Sequence, residues 1–455
     1  MKISKINIKD FHQFNGFNLD LTYPKGHEKE GLPLEKVCII GQSGTGKTTL
    51  LNLILEFAKK LKTISMHFEP ANRIANNQKI DYSINQEKSD RINIALNFII
   101  NNIGIQLSKG KNGSEKKWDI SINESNVAAK EVKSSEAFLR EVNKSMEHFI
   151  ISYPADINVR HQFVKNKTPN ESYKDRKVID FSDQSLKPIW SQVYKEIVDF
   201  QNKEANFRID LTKRAEVENI NIKEEIANWR KGSQNPLINL ADKCFNPIIE
   251  NFGLKVETDL PAIQDINVIR TKNTVNNKIV PFEKLSSGTK QIILTALPLY
   301  ELNTLNSVIL VDEPEVSLYP DIQRMVIELY TSLAQDAQFF YATHSPIIAS
   351  LFEPWEIVEL KFDYEKGQVY REEYYDVSGQ RHIDNYFINP QYLRWDSILT
   401  KVFDLKERGN DKRIEKMMEL VSLGKRIEKQ KDKADKAEIY QEYKKLASLL
   451  DWEIQ

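Results

Sequence analysis

Apolar and polar residues alternate through positions 2–11 and again through 17–23, a period of two that predicts a strand pair or hairpin at the N-terminus. The run Val37 to Ile40 is uniformly apolar, is followed by a glycine-rich turn and then by LLNLILEFAKKL with helical spacing, and so reads as strand, loop and helix. From about Phe68 to Ser145 the chain is polar, with short alternating runs such as INIALNFII and WDISIN, which predicts a lobe of antiparallel strands and short helices carrying long surface loops. HFIISYPADI, at 148–157, is another buried strand, and 183–248 carries mixed charge at helical spacing. SVILVDEP and AQFFYATHSP are apolar strands on either side of the helical IQRMVIELYTSLAQ; strand, helix and strand with continuously apolar strands is the pattern of a parallel sheet. From Leu393 to Leu450 the pattern is helical again, and neither an internal repeat nor a low-complexity block occurs.

One stretch raises a separate question. FEKLSSGTKQIILTALPLY, 282–300, places two serines and a glycine directly ahead of an apolar helix. Read locally, Ser286 or Ser287 caps the first turn, and Ile292, Ile293, Ala296 and Leu297 recur on one face.

The length of 455 residues allows two or three domains, and 40% hydrophobic with 28% charged residues is the mix of a soluble globular chain. Lys plus Arg number 64 against 65 Asp plus Glu, a net charge of −1, so no global field draws the chain to nucleic acid or to a membrane. Any nucleic-acid surface must be a local patch. The two cysteines, Cys38 and Cys244, fit no metal spacing, and Cys38 lies in an apolar run, which points to a reducing compartment. With no run of eighteen apolar residues and no signal-like start, the expectation is a cytoplasmic protein without a membrane span.

The chemistry is concentrated in a few motifs. Gly41, Gln42, Ser43, Gly44, Thr45, Gly46, Lys47 and Thr48, with Thr49 next, fit the phosphate-loop pattern at every required position, between a buried strand and a helix. Glycines let the loop wrap so that backbone N–H groups face a triphosphate. Lys47 can then reach the β- and γ-phosphates of ATP, and the Thr48 hydroxyl can ligate Mg2+. Asp312 and Glu313 end an apolar strand, where Asp312 can hold magnesium and Glu313 can orient or deprotonate an attacking water. His344 ends the next strand, where a sensor of the γ-phosphate is useful. Ser286, Ser287 and Gly288 offer a hydroxyl and bare N–H groups, which suit the same phosphate.

Together LSSGTKQ, GQSGTGKT, ILVDEPEVSLYP and ATHSP resemble, in order, the signature motif, phosphate loop, Asp-Glu strand and switch histidine of the ABC-type ATPase head. The resemblance covers about Met1 to Glu353. It implies an α/β head with a mixed or parallel sheet, an antiparallel β lobe, a helical insert and a helical C-terminal tail, divided at 1–175, 176–260, 261–390 and 391–455. It further implies that the signature Ser286–Gly288 of one subunit caps ATP held by another, in a homodimer or higher homo-oligomer. DEPEVSLYP followed by a THSP strand looks like the branch holding RecF, SMC and overcoming-lysogenisation-defect (OLD) ATPases, and within it like the ATPase subunits of anti-phage systems. The chain most resembles the Septu ATPase, which works with a separate HNH nuclease, with the PARIS ATPase a neighbour. Duplex DNA, met directly or through such a partner, is compatible with the resemblance.

Departures from the branch are specific. Tyr319 stands where histidine is usual, His12 and Gln13 replace a basic residue after the first strand, and the magnesium-sensing lid glutamine has only Gln162 as a candidate. No Asp-x-Asp follows His344, as an OLD-type nuclease domain would need, so the tail is expected to dock a partner or a neighbouring subunit. Three functional expectations result: an ATP-hydrolysing subunit gating a nuclease, a DNA-repair or DNA-tethering ATPase, and a scaffold that binds ATP and seldom turns it over.

Overall fold

The computed structural model describes residues 1–67, 82–84, 92–100, 103–112, 115–123, 150–155, 177–182, 186–218, 220–258, 269–280, 284–371, 389–403, 405 and 411–452. Gln162 lies outside the described residues, as does most of the loop text between 68 and 149. The chain divides into two compact units, Met1–Tyr392 and Leu393–Gln455.

The first unit opens with β1 (Lys2–Phe11), β2 (Phe14–Asp20), β3 (Lys36–Gly41) and α1 (Lys47–His67). Next come β4 (Tyr82–Ile84), β5 (Ile92–Ile100), β6 (Ile103–Asn112), β7 (Glu115–Asn123), β8 (Ile150–Tyr153) and β9 (Val178–Asp180). The helices α2 (Lys187–Ala215), α3 (Ile222–Gly232), α4 (Pro236–Leu240) and α5 (Asn246–Ile249) follow, with a π-helical turn at Ala241–Phe245. A small antiparallel sheet, β10 (Leu254–Val256), β11 (Thr271–Asn273) and β12 (Ile279–Val280), leads to α6 (Ser287–Glu301) and β13 (Val308–Asp312). The unit closes with α7 (Pro320–Leu333), β14 (Gln338–Thr343), α8 (Pro346–Ala349), β15 (Ile357–Asp363) and β16 (Gln368–Arg371).

One 13-stranded mixed sheet organises all of this, in the order β4-β7-β6-β5-β1-β2-β16-β15-β3-β14-β13-β8-β9. Its parallel run β15-β3-β14-β13-β8-β9 holds strands buried on both faces, as their unbroken apolar text requires; all six residues of β14 are buried. The expected β lobe exists as the antiparallel strands β5, β6 and β7, but it does not stand apart: β5 pairs along β1, so the lobe extends the main sheet. The opening strands form the predicted hairpin, with His12 in a left-handed turn at φ 51°. α6 differs from the amphipathic expectation. Almost every residue from Gly288 to Leu299 is buried, because α7, α2, α5 and the π-helical turn cover it on several sides. Both cysteines are fully buried.

One buried amide in this core makes three hydrogen bonds. Gln338, wholly buried at the start of β14, accepts from the Ile3 amide at 2.6 Å and donates to the Ile3 and Leu34 carbonyls at 2.9 and 2.8 Å. It thereby ties β1 to the base of the parallel run, and leaving such an amide unpaired would cost about 1–3 kcal/mol. In the second unit, α9 (Trp395–Lys401) precedes α10 (Asp411–Lys429) and α11 (Lys433–Leu449), the last two packing around Leu420, Leu423, Leu446, Ala447 and Leu450. Asp432 caps α11 by accepting from the Ala434 and Asp435 amides.

The base of the strand that leads into the phosphate loop carries a half-buried ion pair. Lys36, first in β3, lies 3.2 Å from the Glu356 carboxylate, which is only 5% exposed and also accepts the Glu353 amide at 2.9 Å. Burial, the largest influence, pushes the Glu356 carboxyl up from 4.5 to about 7 despite Lys36. A carboxyl with a raised folded-state value contributes stability that is complete below pH 4.5 and is lost as pH rises through 7. Between pH 5 and 8.5 the wild-type chain should therefore lose roughly 2–3 kcal/mol more stability than Glu356→Gln. Urea unfolding at both pH values checks this; equal losses in the two proteins would remove Glu356 as the cause.

Candidate functional site

Local sequence dictates the loop that joins β3 to α1. Gly46 sits at φ +88°, where a Cβ would approach the Gln13 side chain to 2.5 Å and the Phe14 ring to 2.8 Å, so only glycine lets the β1–β2 hairpin close against the loop. The Gln13 amide also donates to the Gly44 carbonyl at 3.4 Å. The hairpin that carries His12 and Gln13 thus supports the phosphate loop, a role that their departure from a basic residue hid in the sequence. Thr45 closes the turn through its hydroxyl to the Gln42 carbonyl at 2.8 Å. Ser43 and Gly44 face solvent, Gly41 is buried at the end of β3, and Thr49 is half-buried in the first turn of α1.

Lys47 is 5% exposed, and its ammonium donates to the carbonyls of Gly41 at 2.9 Å and Gln42 at 3.1 Å, with the His344 Nδ1 at 3.5 Å. These acceptors are neutral. Burial lowers the Lys47 ammonium to about 8, against the opposing pull of Glu313 and Asp312. A buried cation held only by neutral oxygens and an imidazole, below a glycine loop at a helix start, is a place where a phosphate would be stabilised.

The carboxylates arrive from β13. In register, Asp312 pairs with Ala342 of β14, and Thr343 pairs with Ile40 of β3, so the three strands end along one edge. The Thr48 hydroxyl donates to the Asp312 Oδ2 at 2.7 Å, joining the first turn of α1 to the end of β13. Burial raises the Asp312 carboxyl, and the Thr48 hydroxyl opposes that rise. Glu313 adopts φ 49°, a conformation few non-glycine residues take, while its amide donates to the Ala342 carbonyl at 2.8 Å. Its carboxylate lies 3.7 Å from the His344 Nε2. Burial, then the Lys47 charge, holds His344 below its ordinary value, and Glu313 works the other way. Lys47, Thr48, Asp312, Glu313 and His344 are therefore brought together.

Ser286, Ser287 and Gly288 are positioned differently. Ser286 caps α6 by accepting from the Thr289 amide at 3.2 Å, and both serines are exposed. Gly288 is buried against the turn after β13: a Cβ there would lie 2.1 Å from the Ser317 carbonyl oxygen. That same turn carries Ser317 at φ 62° and presents Tyr319, 69% exposed, at the start of α7. Sequence reading missed Glu315. Its Oε1 accepts from the Thr343 hydroxyl at 2.6 Å, the His344 amide at 2.9 Å and the Ser345 amide at 3.1 Å, so it holds the turn on which His344 sits. Only the third carboxylate in DEPE hinted at it.

The AAA ATPase domain family matches residues 1–349. Among solved structures, the chain is similar to an SMC head bound to the C-winged helix domain of ScpA, at 12% identity and a TM-score of 0.38, covering 82% of this chain and 97% of that one. It is similar to the SMC head domain from Thermotoga maritima at 13% identity and a TM-score of 0.38, covering 82% and 98%. A third, an SMC head with an extended coiled coil bound to the C-terminal domain of ScpA, derived from Pyrococcus furiosus, matches at 11% identity and 0.36, covering 82% and 96%. No curated protein matches the chain.

The contact at Gly288 makes a direct prediction. Gly288→Ala forces a methyl group into the Ser317 backbone, and overpacking of this kind destabilises by about 1–3 kcal/mol. A denaturant midpoint unchanged from the wild type would show that α6 does not rest on that turn.

Proposed function

The chain belongs to the AAA ATPase domain family, and on that premise we propose that it binds ATP with magnesium and hydrolyses it, as the homodimerising ATPase subunit of a cytoplasmic anti-phage complex that gates a separately encoded HNH-type nuclease. The observation that carries the ATPase reading is the 2.7 Å bond from Thr48 to Asp312, which joins the phosphate loop's helix to the Asp-Glu strand within reach of Lys47 and His344. The setting in defence is supported by the motif resemblance. No described helix is long and apolar enough to cross a membrane.

The roles proposed for the residues follow from their chemistry. Backbone N–H groups of 41–49 would face the phosphates, and Lys47 would exchange its neutral carbonyl partners for phosphate oxygens. Thr48 and Asp312 supply hard oxygen donors of the kind magnesium takes, and Mg2+ held there would neutralise phosphate charge. Glu313 would orient the attacking water and accept its proton, and His344, between Lys47 and Glu313, would sense the γ-phosphate. Ser286 and Ser287 with the bare amides of the first turn of α6 would cap the nucleotide of a second copy.

Two measurements test this. Lys47→Ala should abolish ATP binding and phage protection in cells, whereas Glu313→Gln should retain ATP, lower phosphate release at least 100-fold and stabilise an ATP-dependent dimer in light scattering. Full protection by Lys47→Ala, or undiminished turnover by Glu313→Gln, would overturn the reading. The same phosphate-release assay should be unchanged by duplex DNA in the absence of a nuclease. Strong stimulation by DNA alone would move the chain to the DNA-tethering class.

A further inference from the structure

Between His344 and the turn on which the serine-glycine helix start packs runs a line of hydrogen bonds that the proposed chemistry does not require. Glu315 gathers the Thr343 hydroxyl and the His344 and Ser345 amides on one oxygen. The Ser345 hydroxyl donates to the Gln323 Oε1 at 2.6 Å, and the Gln323 Nε2 donates onward to the Leu318 carbonyl at 3.0 Å. The Leu318 amide returns to the Glu315 carbonyl at 2.9 Å, closing a ring of contacts. One residue before Leu318, the Ser317 carbonyl is the atom against which Gly288 packs.

Each member has a definite orientation. Gln323 must present its oxygen to Ser345 and its amino group to Leu318, because one partner is a donor and the other an acceptor. Ser345 is committed too, since its hydroxyl oxygen also accepts the Ile347 and Ile348 amides and caps α8. Glu315 keeps its second oxygen buried with no partner among the described residues, an arrangement that a purely packing residue would avoid.

We propose that Glu315 and Gln323 are positioning residues that tie the strand end bearing His344 to the Ser317–Leu318 turn, and through it set the placement of Ser286, Ser287 and Gly288. A shift of His344 then moves the helix start that would cap a second copy's nucleotide. That catalytic consequence rests on the ATPase reading above; the mechanical link does not.

The test begins without nucleotide. Hydrogen exchange is measured on the full chain, comparing wild type with Ser345→Ala and Gln323→Leu. The link predicts at least tenfold faster exchange in the first two turns of α6, with α1 unchanged. Exchange in α6 within twofold of wild type would overturn it. Glu315→Gln, which keeps an oxygen for the three donors but places an amino group where no acceptor lies, substitutes for either variant that does not fold.

The second arm reads ATP. Each single variant should keep ATP affinity within threefold and lose at least tenfold in turnover, and the double variant should lose no more than the worse single, as members of one relay do. Additive losses, or turnover within twofold of wild type, would reduce the contacts to local packing. If the wild type itself releases no phosphate, the ATPase reading fails, and the exchange data alone decide the link.

Discussion

The whole candidate site depends on the register of three parallel strands. β3, β14 and β13 pair so that Ile40 faces Thr343 and Ala342 faces Asp312, which brings Gly41, His344 and Glu313 out at the same edge. A slip of one residue in either pairing would send those side chains to the opposite face and part Thr48 from Asp312. What holds the register is the burial of the strands on both faces and polar pinning at their base by Gln338 and the Lys36–Glu356 pair. The edge so formed is where α/β sheets place their ligands.

Charge is distributed across that edge with little direct neutralisation. Lys47 rests on carbonyl oxygens and on His344, Asp312 on a hydroxyl, and Glu315 on amides. Burial moves each of these groups toward its neutral form, lowering Lys47 and raising Asp312 and Glu315. Such a site is poised for an anion and a cation to arrive together, since either alone would leave a charge unmatched in a partly dry environment.

Much of this was legible in the text of the chain. The phosphate loop and the Asp-Glu strand announce themselves because their working groups are sequence neighbours, and their strand contexts follow from uniform apolarity. Glu315, Gln323 and Gln13 were not legible, because each acts on residues 22 to 31 positions away or on a neighbouring turn, and no periodicity marks such partners. The junction of the β lobe with the main sheet was hidden for the same reason: β1 pairs with β5 across some ninety intervening residues, as Lys2 with Ile99. α6 misled in the other direction. Its apolar face was visible, but the neighbours that bury its remaining sides come from four separate segments.

The narrow junction between the two halves of the sheet has a mechanical corollary. Hydrogen bonds run from β9 through β3 and β1 to β7 and β4, but β16 meets β2 at one pair alone, Val369 with Phe14. Neighbouring strands on either side share several pairs, so this step is where the sheet bends at least cost, between the strands that end at the phosphate loop and the antiparallel extension. The β2–β16 step is thereby the seam of the sheet, and the contacts of Gln13 and Phe14 with the phosphate loop lie beside it.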